Sequence, residues 1–122
     1  MKKIIIFGAG RSSTSLIEYL LSIAKEQHLF ITLLDFNEEL AKSKISNHKY
    51  GEAYFIDANN QNERLKFIKG SQLIISMLPA HMHLGIVKDA IHEKVHVITP
   101  SYVTKEIRSL DEAAQNNDVL IL

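Results

Sequence analysis

The chain alternates between two hydrophobic rhythms. Short, nearly unbroken apolar runs are separated by longer stretches in which apolar residues recur every three or four positions. Lys3 to Phe7 is the first run and predicts a strand ending on Gly8-Ala9-Gly10. Behind it, Leu16, Ile17, Leu20, Leu21, Ile23 and Ala24 keep helical spacing. They predict a helix from about Ser12 to Gln27, with Ser12 or Ser13 as its cap. Phe30 to Leu34 predicts a second strand, closed by Asp35. Asn37 then suits the cap of a helix reaching about Ser46, with Glu38 and Glu39 at the end where the helix dipole favours acids. Ala53 to Ile56 reads as a third strand ending on Asp57. Asn60 and Glu63 resemble a capping box for a helix that Gly70 stops.

Leu73 to Leu78 is a fourth run, of the kind buried on both faces of a parallel sheet, and Pro79 ends it. A helix carrying Leu84, Ile86, Val87, Ala90 and Ile91 follows, then a fifth strand from Val95 to Thr99. Thr104 to about Asn117 reads as a helix, and Asp118 to Leu122 as a sixth strand. Strands alternating with helices imply right-handed crossovers and a parallel sheet covered on both faces. The expected fold is therefore α/β: a Rossmann-like doubly wound sheet of about six strands in the order 3-2-1-4-5-6. Residues 1–122 read as one domain. Ligands of such sheets sit beyond the carboxyl ends of the strands, at the switch between strands 1 and 4. That rule gathers Gly8 to Ser13, Asp35-Phe36, Asp57-Ala58, Leu78-Pro79 and Thr99 to Tyr102 into one candidate site.

The glycine turn carries the chemistry. Gly8 lets the chain turn sharply off the strand. Gly10 lets backbone approach a pyrophosphate, and the helix start behind it offers unpaired N–H groups to anions. Ser13 stands where the dinucleotide fingerprint has Gly or Ala, small but a departure. Asp35, twenty-five residues past Gly10, is placed to accept hydrogen bonds from both ribose hydroxyls of an adenosine. A carboxylate there repels a 2′-phosphate, so NAD is the expected cofactor, with NADP as the alternative. Arg11 suits a phosphate contact or a solvated helix start, and Ser12 belongs to the same turn. Asp57 and Ala58 either border the adenine or merely bend the chain after strand 3. Leu78 and Pro79 are expected along the nicotinamide-side floor.

Composition narrows the partners. Among 122 residues, acids and bases number 14 each, so no net field draws the chain to nucleic acid or to an anionic membrane. Cysteine is absent, which fits a reducing, cytoplasmic setting. No stretch approaches the roughly 20 apolar residues of a membrane span. Six histidines invite a metal reading, but His81 and His83 lack a cysteine or carboxylate at ligand spacing, so no metal is expected.

The second half of the chain is more particular. Ile75-Ser76-Met77-Leu78-Pro79-Ala80-His81-Met82-His83, and then Val97-Ile98-Thr99-Pro100-Ser101-Tyr102-Val103, resemble the saccharopine dehydrogenase family. The resemblance runs from Lys3 to Leu122. It implies a cofactor domain, the N-terminal part of a longer two-domain oxidoreductase acting at a carbon–nitrogen bond of an amino-acid adduct. Substrate contacts then fall mostly on a second domain, and the 122-residue segment alone would be inactive. His83 matches the family's histidine, either touching substrate or capping its helix. Ser101 and Tyr102 are substrate-side candidates, Tyr102 equally a packing residue at a domain boundary. An apolar rim of Leu78, Pro79 and Tyr102 suits pairing with a second copy, a homodimer. A regulatory nucleotide-sensing module, of the type that gates potassium transport, is the competing reading. It shares the Gly-x-Gly-Arg turn and the acid-ended second strand.

Overall fold

The computed structural model describes residues 1–99, 111–117 and 119. Its strands are β1 (Lys2–Phe7), β2 (Leu29–Asp35), β3 (Gly51–Phe55), β4 (Leu73–Ser76) and β5 (His96–Ile98). They form one sheet in the order β3-β2-β1-β4-β5, and every pairing is parallel. β1 is central: Ile6 lies opposite Leu33 of β2 on one side and Ile75 of β4 on the other. The chain thus winds outward in both directions from β1, and the switch point falls between β1 and β4.

Unbroken apolar strands are what such a sheet demands, because both faces are covered. Ile4 and Ile6 of β1 bury against one layer, with Ile17 and Leu21 of α1 (Thr14–Gln27) and Ala41 and Ile45 of α2 (Glu38–Ile45). Ile5 and Phe7 point the other way. They meet Ile68 of α3 (Gln61–Ile68), Ile86 and Ala90 of α4 (His83–His92), and Ala114 of α5 (Asp111–Asn116). Each fully buried Ile, Leu or Phe contributes about 1.5–3 kcal/mol relative to exposure. The alternation along β1 therefore locks its register as well as its position.

Several boundaries differ from expectation for local reasons. The first helix begins as a 3-10 turn, Arg11–Ser13, and becomes α-helical only at Thr14. Neither Ser12 nor Ser13 caps it; the Ser13 hydroxyl instead donates backward to the Gly10 carbonyl (2.8 Å). Asn37 and Asn60 do cap α2 and α3, accepting from Leu40 and Glu63 N–H. The capping box at Asn60 is not closed, because the Glu63 carboxylate accepts from the Asp57 N–H (3.1 Å). β4 ends at Ser76, two residues early, although Met77 N–H still reaches the Phe7 carbonyl (2.7 Å). The expected sixth strand lies outside the described residues except for Val119. That residue is buried, and its N–H donates to the Ala114 carbonyl (2.8 Å). Among the described residues, no helix is long and apolar enough to cross a membrane.

Candidate dinucleotide site

The two glycines of the turn do different work. Gly8 has φ +105°, and a Cβ there would lie 3.1 Å from the Met77 carbonyl carbon and 3.2 Å from its oxygen. A side chain at Gly8 is excluded by conformation and by the close pass of the turn over the end of β4. Gly10 has φ −67° and ψ −178°, extended backbone open to any residue. A Cβ at Gly10 would meet nothing within 4 Å. The protein itself does not require glycine there; the free space suits a group arriving from outside. That space adjoins the first turn of a helix, whose N–H groups lack intrahelical partners. Ser13 is fully buried, and its bond to Gly10 satisfies the hydroxyl at the departure from the fingerprint. Arg11 and Ser12 are exposed at the mouth of the turn.

Asp35 ties the turn to the next loop. Ala9 N–H donates to its Oδ2 and Asn37 N–H to its Oδ1, both at 2.7 Å. Each carboxylate oxygen keeps a further lone-pair direction, so the group can still accept from ribose hydroxyls. Beside it a cleft of about 290 Å³ opens at the carboxyl ends of β2, β3 and β4. Asp35, Phe36, Asp57, Ala58 and Leu78 line it, together with Leu34, Ile56, Asn59 and Met82. The Phe36 ring is 75% exposed and tilts against Phe55 at 5.4 Å, so an apolar face stands free beside the cleft. This volume lies at the low end for ligand pockets, enough for one half of a dinucleotide.

The loop after β3 is held from behind. Asp57 Oδ1 accepts from Asn59 N–H (3.0 Å), so Asp57 bends the chain and also borders the cleft. Arg64 Nη1 donates to the Ala58 carbonyl (2.8 Å). The same buried guanidinium pairs through Nε with Asp89 of α4 (2.5 Å), and Gln61 donates to the other Asp89 oxygen (3.2 Å). α4 comes close here because position 85 is glycine: a Cβ there would lie 3.1 Å from Arg64 Nη2.

The end of β4 shows where the remaining candidates fall. Leu78 lines the same cleft as Asp35. Pro79 is exposed and contributes nothing to that lining. His83 has no accessible surface, so its ring does not face a substrate space. Its Nε2 lies 2.8 Å from the Leu78 carbonyl, which can only accept. The proton is therefore on Nε2, and Nδ1 is a bare acceptor, buried without a partner. Burial lowers the His83 pKa below 6.5; the Leu78 bond opposes this and the nearby His81 adds to it. Ser101 and Tyr102 lie outside the described residues.

Sequence reasoning missed Leu34, Ile56, Asn59 and Met82 in the cleft, each adjacent to or near a residue it had named. It also missed Lys44. From the last turn of α2, the Lys44 ammonium reaches the Gly10 carbonyl (3.3 Å) and the Thr14 hydroxyl. Only the tertiary fold brings residues thirty positions apart together, so no local signal announced that contact. Among the described residues, no group of three or more His, Asp or Glu side chains is arranged to hold a metal ion.

Comparisons with known proteins bear on the family and the fold. The family described as saccharopine dehydrogenase NADP binding domain matches residues 4–122. Alpha-aminoadipic semialdehyde synthase of Bos taurus is 27% identical over 99% of the chain, which covers 13% of that protein. A saccharopine dehydrogenase (NADP(+), L-glutamate-forming) of Schizosaccharomyces pombe is 30% identical over 93% of the chain, covering 25% of that enzyme. The structure of apo saccharopine dehydrogenase (L-Glu forming) from Saccharomyces cerevisiae superposes with a TM-score of 0.89 at 21% identity. It covers 99% of this chain and 26% of that one. The chain thus spans about a quarter or less of the length of these relatives.

Proposed function

The chain belongs to the saccharopine dehydrogenase NADP-binding domain family, and from that premise we propose that its glycine turn and cleft bind a nicotinamide dinucleotide for hydride transfer. In this reading the pyrophosphate meets the turn at Gly10, the adenosine ribose meets Asp35, and the base enters the cleft beside Phe36 and Ala58. The chemistry is oxidation or reduction at a carbon–nitrogen bond of an amino-acid adduct. The nicotinamide supplies the hydride step, and a further domain supplies most substrate contacts. The family match favours this cofactor role over a potassium-gating sensor.

One observation carries the reading: Asp35 joins the open glycine turn to the cleft through Ala9 N–H, which supports a phosphate at the turn and a ribose at Asp35 bound by one ligand. The same anchoring bears on cofactor choice. Two backbone amides hold the Asp35 carboxylate, so turning it away from a 2′-phosphate forfeits both bonds. A like-charge pair about 4 Å apart costs on the order of 4 kcal/mol at an effective dielectric near 20, before screening. We therefore place NAD ahead of NADP for this chain, although the family takes its description from NADP.

Calorimetric titration with NAD and NADP, for the parent and for Gly10→Val, tests both statements. Gly10→Val should fold as the parent does, since its side chain has room, yet bind neither cofactor. Equal affinity in parent and variant would remove the turn from the site. Tighter binding of NADP than of NAD by the parent would overturn the role given to Asp35.

A further inference from the structure

We propose that Lys44 is the positioning residue of the phosphate turn, aiming its backbone donors at the pyrophosphate and adding the charge that raises affinity for it. This rests on the reading of the turn as a dinucleotide site. The Gly10 carbonyl receives three donors at once: Ser13 N–H (3.1 Å), Ser13 Oγ (2.8 Å) and Lys44 Nζ (3.3 Å). All three draw it toward the start of α1. In a trans peptide the C=O and the following N–H point in opposite directions. Holding the Gly10 oxygen inward therefore turns the Arg11 N–H away from it, outward from the start of α1.

The charge needs its own explanation. Lys42, two residues earlier, pairs with Glu38 across one helical turn (3.3 Å). Lys44 has no carboxylate within ion-pair distance among the described residues. Its ammonium lies instead against Thr14, the first residue of α1. A cation at that end opposes the helix dipole, whose positive end favours anions. Without a carboxylate partner among the described residues, the ammonium is in an unfavourable place until an anion arrives. A dinucleotide pyrophosphate, common to NAD and NADP, supplies that anion.

The ammonium's two contacts, the Gly10 carbonyl and the Thr14 hydroxyl, both belong to the turn and the helix start behind it. Lys44 should therefore act on both cofactors alike, leaving the choice between them to Asp35.

Titrate the parent chain, Lys44→Met and Lys44→Arg with NAD, NADP, ADP-ribose and adenosine, at low and high salt. Lys44→Met should lose about tenfold in affinity for NAD, NADP and ADP-ribose alike, the scale of a charge-assisted contact. Adenosine affinity should not change, and the salt dependence of ADP-ribose binding should become shallower. Lys44→Arg should recover most of the loss. The thermal midpoint of ligand-free Lys44→Met should equal or exceed the parent's, which a purely structural lysine would not give. Unchanged ADP-ribose affinity in Lys44→Met overturns the proposal, and so does a loss confined to NADP. A parent that binds none of the three phosphate ligands overturns the dinucleotide reading itself. If Lys44→Met unfolds, Thr14→Val removes one of the ammonium's two partners, and unaltered ADP-ribose affinity in that variant counts against the proposal.

Discussion

His83 occupies the first position of α4 with no accessible surface, one nitrogen bonded and the other bare. Burial makes its charged form costly, so its folded pKa lies below the ordinary 6.5. Above that value the ring is neutral in folded and unfolded chains alike, and the site carries no pH penalty. As pH falls below it, the unfolded chain takes a proton that the folded chain resists. Stability should then decline until pH reaches the depressed folded value, by at most about 1.4 kcal/mol per pH unit. His83→Gln keeps a donor for the Leu78 carbonyl and removes the titration. Urea unfolding from about pH 7.5 to about pH 5.5 should show a steeper fall for the parent than for His83→Gln. Parallel profiles would mean that the ring charges freely in the folded state. The residue scale also separates two glycines that look equivalent in sequence. Gly8 is needed by the protein's own backbone, whereas Gly10 is needed only if something binds.

Among the elements, the β3–α3 loop depends on a contact from α4. Arg64 is buried, bonds the Ala58 carbonyl, and is neutralised by Asp89, itself 1% exposed. Removing one partner of a buried pair leaves the other charge uncompensated, at a cost of about 3–5 kcal/mol. Asp89→Ala should therefore unfold at markedly lower urea and bind ADP-ribose more weakly, because Ala58 borders the cleft. Gln61→Ala, which removes only the neutral donor to Asp89, should cost about 1 kcal/mol. An Asp89→Ala variant as stable as the parent would show that Arg64 finds water instead. This pair was not legible in the sequence. Arg64 sits in a polar helix and reads as solvated; a residue twenty-five positions later buries it. The strands were legible because parallel strands covered on both faces must be continuously apolar, and Ile4 to Phe7 and Leu73 to Ile75 are. Asp35 was legible because it ends such a run. What could not be read was how that acid is held, since the donor from Ala9 comes from another strand's loop. The 3-10 start at Arg11 was missed for a similar reason: a serine hydroxyl can cap forward or bond backward, and only the turn's geometry decides.

At the scale of the whole molecule, the described sheet offers its carboxyl edge asymmetrically. The cleft lies toward β2 and β3, where Asp35 and Ala58 hold the adenosine half in the proposed pose. The reacting half of the dinucleotide then lies across the switch point, toward β4 and β5. Hydride transfer needs a substrate carbon about 3–3.5 Å from the nicotinamide, held in line. It also needs water kept from the site. His83, the one described residue among the substrate-side candidates, is enclosed beneath the loop and bonded to Leu78. It cannot orient a substrate from there. The relatives devote about three quarters or more of their length to chain outside the matched part, since this chain covers 13% to 26% of each. In the proposed function, that additional chain brings substrate contacts and closes the cleft. A polypeptide limited to these 122 residues should therefore bind dinucleotide and catalyse nothing. Nicotinamide absorbance is followed with saccharopine, and separately with lysine plus 2-oxoglutarate, for this polypeptide and for a version fused to a relative's remaining chain. No change is expected with the 122 residues alone, and cofactor-dependent turnover is expected only with the fusion. Turnover by the short polypeptide would mean that its own residues position substrate, and the two-domain argument would fail.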